Sequence, residues 1–195
     1  VVAFHMLSHD YGDTVAQELL ARDNARSVRR IRSASLLNGG LFPETHRPLV
    51  IQRLLLTPLG PLLSFAFNRR AFERSMRSIF GPHTPPHQSD LEGFWHLIRE
   101  CGGHRLMHRL IRYIPERQAH RARWVGALVE AQCPLALING LADPISGAHM
   151  VARWKEVVGK GTLVELSGIG HYPQIEAPQD VAAHVRAFLS RVDGP

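Results

Sequence analysis

The sequence predicts an α/β fold, a parallel sheet whose strands alternate with helices, interrupted by one long helical insertion. Three observations predict it. Apolar runs at residues 4–7, 31–37, 134–138 and 162–166 have the length of buried parallel strands. Each run ends in a loop rich in Gly, Asp, Asn or His, and three of those loops lead into a helical pattern. Residues 41 to about 124 instead read as helices punctuated by Pro43, Pro48, Pro58, Pro61, Pro82, Pro85, Pro86 and Pro115. The expected organisation is core at 1–40, helical lid at 41–127 and core again at 128–195.

The first run meets Ser8, then His9-Asp10-Tyr11, then Gly12, and a helix follows from near Asp13 with Val15 over Leu19 and Ala16 over Leu20. A strand, a very tight turn and a helix with small residues at both flanks make a nucleophile elbow, in which Asp10 holds the nucleophile's place. Asp23 to Arg26 ends that helix, and the strand at 31–37 stops at Asn38-Gly39-Gly40. Within the insertion, Ser89-Asp90-Leu91-Glu92 reads as a capping box, followed by Leu91, Phe94, Trp95 and Ile98 at helical spacing. A further helix is expected from His104 to Tyr113, with Leu106, Leu110 and Tyr113 on one stripe. His104 and His108 have i, i+4 spacing but no Glu between them in an H-E-x-x-H pattern and no third ligand nearby, so the sequence predicts a basic solvated face with Arg105, Arg109 and Arg112. No metal and no cofactor are expected. The strand at 134–138 runs into Asn139 to Pro144, a helix at 147–158 follows, and the strand at 162–166 runs into Ser167 to Pro173. The last helix starts near Pro178 and carries Val181, Val185, Phe188 and Leu189 on one face.

With 195 residues, 45% hydrophobic and 21% charged, the chain is expected to form one globular unit or part of one. No stretch approaches the ~20 apolar residues of a membrane span. Cys101 and Cys133 form neither a disulfide framework nor a metal pair, which points to reduced thiols and a cytoplasmic setting. The formal charge of +6 rests almost wholly on arginine, Lys155 and Lys160 being the only lysines, and no nucleic-acid-binding motif accompanies it. The expected partner is a small-molecule substrate, without nucleic acid.

A carboxylate at the elbow is already ionised at neutral pH and can displace at an sp³ carbon without an adjacent base. Water must then cleave the resulting alkyl ester, and that step needs a base. Asp143 follows one strand and His171 the next, in the chain order nucleophile, acid, histidine of an α/β-hydrolase triad. Loops at the carboxyl ends of parallel strands converge on one edge of the sheet, so the three residues are expected to meet there.

These motifs resemble the epoxide hydrolase and haloalkane dehalogenase branch of the α/β-hydrolases. Residues 9–13 with 16–20, Asn38-Gly39-Gly40 with 42–48, and 123–128 are similar to the hydrolases related to mesoderm-specific transcript protein, and the likeness covers nearly the whole chain. The resemblance implies the C-terminal part of an α/β-hydrolase sheet, because the elbow there follows the fifth strand. The N-terminal strands are then absent from this chain, and a half sheet with an unpaired edge is expected to be poorly stable and inactive by itself. It also implies an Asp-Asp-His triad, with the Tyr11 N–H as one oxyanion donor and the second donor in the missing front. Tyr11 stands where dehalogenases place a halide-binding Trp, which disfavours that activity. Epoxide hydrolases use two lid tyrosines to protonate the ring oxygen; Tyr113 fits the later one, and residues 42–80 hold none. Such families also place the acid after the strand that follows the elbow, where this chain has Asn38, so Asp143 is the better acid. The function implied is an epoxide hydrolase-like hydrolase working through an ester on Asp10; the alternatives are a haloalkane dehalogenase and a non-catalytic relative that binds a partner through Arg105, Arg109 and Arg112.

Overall fold

A computed structural model describes residues 2–194 of the chain. Four strands, β1 (Phe4–His9), β2 (Ile31–Leu37), β3 (Leu135–Gly140) and β4 (Thr162–Leu166), form one parallel sheet in the order β1-β2-β3-β4. All three pairings are parallel, with Ser8 opposite Leu36, Leu36 opposite Leu137, and Gly140 opposite Leu166. Sequential strands lie side by side, so each loop after a strand opens on the same edge.

Between β1 and β2 runs α1 (Tyr11–Asn24). Between β2 and β3 the regular structure is helical: α2 (Val50–Leu55), α3 (Gly60–Ala66), α4 (Arg69–Arg77), α5 (Gln88–Arg99), a 3₁₀ stretch at Glu100–Leu106, α6 (Met107–Leu110), α7 (Tyr113–Ala119) and α8 (Arg121–Val129). After β3 come α9 (Ala148–Val157), then β4, α10 (Pro173–Glu176) and α11 (Pro178–Asp193).

Alternation along β2 and β3 decides which helix covers which face. Leu36, Leu135 and Leu137 point into the main core with Ala16 and Leu20 of α1, Val125 and Leu128 of α8, and Met150, Val151 and Trp154 of α9. Leu37 and Ile138 point the other way, onto Val181 and Val185 of α11. Helices on both faces explain why β3 is buried at every position. Burying one such side chain contributes about 1.5–3 kcal/mol. The insertion has its own apolar cluster, built on Phe72, Met76, Ile79, Phe80 and Leu91, and Ile145 and Tyr172 from the core pack against it.

Two local expectations are corrected. Helix α5 starts one residue before Ser89, at Gln88, with His87 as its cap; the Asp90 carboxylate accepts the His87 N–H at 3.0 Å, so Asp90 rather than Glu92 closes the first turn. No continuous helix links His104 to Tyr113: the chain is 3₁₀ as far as Leu106, α6 ends at Leu110 and Tyr113 opens a new helix, and just before this stretch Cys101 and Gly102 adopt left-handed φ of 49° and 73°. Leu106 and Leu110 of the expected stripe are 44% and 55% exposed. Among the described residues no helix is long and apolar enough to cross a membrane.

Candidate active site

The turn between β1 and α1 is distorted. Asp10 leaves β1 at φ 50° and ψ −109°, a region a non-glycine residue adopts only when its surroundings enforce it. They do so through backbone bonds from Asp10 N–H to the Leu37 carbonyl at 3.2 Å and from Asp13 N–H to the Asp10 carbonyl at 3.2 Å. Strand and helix come close at Ser8 and Gly12: a Cβ on Gly12 would sit 3.5 Å from the Ser8 Cβ, so a methyl group would fit and little more. Ser8 Oγ donates to Asp13 Oδ1 at 2.6 Å, which ties the strand to the first turn of α1. As the first residue of α1, Tyr11 has an N–H with no intrahelical acceptor.

Asp143 and His171 come to the same edge. His171 Nδ1 lies 2.8 Å from Asp143 Oδ2, and its Nε2 lies 3.9 Å from Asp10 Oδ1. His171 and Asp143 are buried, whereas the Asp10 side chain is 34% exposed. Asp143 is saturated with donors: Ile145 N–H at 2.8 Å on Oδ1, and Ser146 Oγ at 2.7 Å and Asn38 Nδ2 at 3.0 Å on Oδ2 beside the histidine. Asn38 therefore has a part that its sequence position did not suggest. It supplies no charge; its amide bridges β2 to β3, accepting the Gly140 N–H at 2.8 Å and donating to the Gly140 carbonyl and to Asp143.

These contacts set the charges. Burial opposes ionisation of Asp10, but hydrogen bonding and charge from His171, followed by the Arg117 charge, outweigh it and hold the carboxyl well below the usual range. Asp143 is shifted the same way: burial is again the largest effect and is overcome by His171, Ser146 and Asn38. Burial alone would make His171 less basic, yet the two flanking carboxylates raise its pKa. The imidazolium between two carboxylates is thus the resting state favoured at neutral pH.

Tyr113, the first residue of α7, has its ring centroid 4.8 Å from that of Tyr11. Burial, then the charge of Asp10, pushes its hydroxyl pKa up, so it stays protonated and able to donate. All five residues singled out in the sequence, Asp10, Tyr11, Tyr113, Asp143 and His171, are thus gathered at this edge.

Four neighbours carry no sequence signal of their own. His9 Nε2 donates to the His171 carbonyl at 2.7 Å and is kept neutral by burial and then by the His171 charge. Tyr172 packs against His9, His171, Phe80 and Phe94, with ring centroids 4.9–5.4 Å apart. Arg117, fully enclosed on α7, donates through Nε to Thr14 Oγ1 at 2.7 Å and through Nη2 to the Asp10 carbonyl at 3.2 Å. Its guanidinium carbon also sits 4.5 Å from the Tyr113 ring centroid. Glu176 accepts from Gly170 N–H at 2.8 Å, Tyr172 N–H at 3.0 Å, Gly81 N–H at 2.7 Å and Thr84 Oγ1 at 2.6 Å. It fixes the histidine loop to the insertion, and the His171 N–H adds a bond to the Ile79 carbonyl at 2.8 Å. Gly170 is required there, because a Cβ would fall 2.4 Å from the Gly81 nitrogen.

Comparison with known proteins extends this picture. No family model matches the chain. It is 42% identical over 192 residues to the mesoderm-specific transcript homolog protein of Bos taurus, covering 95% of this chain and 57% of that protein. LipZ of Mycobacterium tuberculosis is 38% identical over 186 residues, covering 95% of this chain and 64% of LipZ. The chain therefore spans less than two thirds of the length of these relatives. Among solved structures, the haloalkane dehalogenase variant DbeA-M1 from Bradyrhizobium elkanii superposes with a TM-score of 0.77 at 16% identity, covering 99% of this chain and 69% of that one. The epoxide hydrolase CorEH superposes with a TM-score of 0.72 at 13% identity, covering 98% and 69%. Structural likeness at that identity speaks to the fold: the chain has the α/β-hydrolase fold, and its sequence likeness to these two relatives runs along nearly its whole length.

Proposed function

We propose that this chain carries the catalytic triad of an epoxide hydrolase-like enzyme, with Asp10 as nucleophile, His171 as base and Asp143 as its orienting acid. The observation that carries the reading is one imidazole held between two carboxylates, with the less buried one on a strained strand-to-helix turn. In the first step an Asp10 oxygen attacks a ring carbon of the epoxide; the C–O bond of the ring breaks, and Tyr113 gives its proton to the departing oxygen. The product of that step is an ester of Asp10 with a neighbouring hydroxyl on the substrate.

Esterification neutralises Asp10. His171 then loses one of the two charges that raise its pKa and gives up its Nε2 proton, which restores the Tyr113 hydroxyl; the neutral imidazole is a competent base at the step that needs one. It takes a proton from water, the hydroxide adds to the Asp10 carbonyl carbon, and the oxyanion is met by the Tyr11 N–H. Collapse expels the diol and restores the carboxylate.

The route of oxygen tests this directly. In a single turnover in ¹⁸O-water, with enzyme in excess over styrene oxide, the diol should carry no label and Asp10 should acquire it. Label in the diol of that first turnover would mean that water attacks the epoxide itself, with Asp10 a base rather than a nucleophile.

A further inference from the structure

Arg117 has a free end. Its Nε and Nη2 are engaged by Thr14 and the Asp10 carbonyl, while the buried Nη1 meets no acceptor. Both ring nitrogens of His46 are buried and unpartnered as well. The two side chains converge over one backbone position: a Cβ on Gly40 would sit 2.1 Å from Arg117 Nη1 and 2.9 Å from His46 Nδ1. Both line a cavity of about 190 Å³ walled by Pro43, Leu56 and Ile114.

Buried polar atoms are almost always satisfied, and the two residues that carry these three orphans line one cavity, so they call for an occupant that accepts hydrogen bonds. The charge balance narrows its chemistry. No carboxylate forms a salt bridge with Arg117 among the described residues, although a buried guanidinium is costly without a counter-charge. Asp13, whose carboxyl burial lifts to about 8, is largely neutral at pH 7, and this leaves Asp10 as the negative group acting on Arg117. His46 is kept uncharged, its pKa falling to about 4 through burial and then the Arg117 charge, so it can donate one N–H without adding a second cation.

We propose that Arg117, His46 and the bare backbone of Gly40 form a subsite for the carboxylate of a small aliphatic acid group on the substrate, held next to the nucleophile. The guanidinium Nη1 gives the charged hydrogen bonds, His46 the neutral one, and the proline and aliphatic walls take the carbon chain. The proposal rests on the Asp10 reading in one respect: once Asp10 is esterified, Arg117 loses its counter-charge, and a substrate carboxylate replaces it at that moment.

Binding of butyrate, with butyramide as the uncharged analogue of the same shape, tests the subsite by isothermal titration on Asp10→Asn, which cannot form the ester. Butyrate should bind saturably and butyramide at least tenfold more weakly. Gly40→Ala keeps the charge and puts a methyl group where Arg117 Nη1 and His46 Nδ1 now lie, so both must move, and it should weaken butyrate at least tenfold, as should Arg117→Met; thermal melts identify any variant that fails to fold, and the butyrate–butyramide contrast needs neither. Equal affinity for the two analogues, no saturable binding, or a folded Gly40→Ala that binds butyrate undiminished would overturn the subsite and leave a buried water as the sole occupant. Because these measurements need no ester, their failure would leave the Asp10 mechanism standing, and an absent ester would leave the subsite standing.

Discussion

Asp13 is the least comfortable residue beside the elbow. It is fully buried in the first turn of α1, Ser8 gives it one hydrogen bond, its Oδ2 has no partner, and Gly39 leaves room for it with no space for even a methyl group. Burial pushes its pKa from 3.8 to about 8, so the folded chain keeps a proton that the unfolded chain releases near pH 4. Between those values the folded state binds more protons, and stability must fall as pH rises, levelling off above about pH 8. Asn at this position has the same shape and does not titrate. Asp13→Asn should therefore gain on the parent by at most roughly 1.4 kcal/mol per pH unit between pH 4 and 8. Urea unfolding of both proteins across that range checks it, and parallel stability curves would show that Asp13 ionises normally.

At the scale of elements, the site depends on how loops are tied down. One carboxylate, Glu176 between β4 and α11, binds the histidine loop to the segment after α4 through four donors. Removing it leaves three backbone N–H groups without that acceptor, and bonds to a charged group contribute ~1.5–3 kcal/mol each before water compensates. Glu176→Ala should lower the unfolding free energy by roughly 2 kcal/mol or more and slow ester hydrolysis more than ester formation, since only the former needs His171 in place. Pre-steady-state kinetics separates the two; equal slowing of both would make Glu176 a matter of general stability. The strands and α11 were legible because their apolar periodicity is strong and their ends carry Gly, Asn or Pro. The insertion was read less well: Cys101 adopts a left-handed φ that propensity does not forecast, and Leu106 and Leu110 have helical spacing without a surface to bury against. Arg117 and Glu176 escaped notice because a single Arg or Glu on a helix has no pattern; only the fold discloses what lies opposite.

Over the whole molecule, the parallel order of four strands brings loops more than a hundred residues apart to one edge. This is why strand ends and chain order could place Asp10, Asp143 and His171 together, and why Asn38, at the end of β2, lies where its amide reaches Asp143. Among the described residues, β1 pairs on one side only, and Leu7, Val15 and Leu19 near it are exposed. On the proposed mechanism Asp10 becomes an ester that water cleaves only with His171 in place. Intact mass of His171→Gln, made in the longest natural form of the protein, tests it most directly after separate incubation with styrene oxide and 1-bromobutane. The expected result is an adduct of the full epoxide mass that maps to Asp10 and disappears in the Asp10→Asn, His171→Gln double variant. A butyl adduct from the bromoalkane alone would contradict the epoxide reading in favour of dehalogenation, and no adduct from either would contradict the covalent mechanism for both substrate classes.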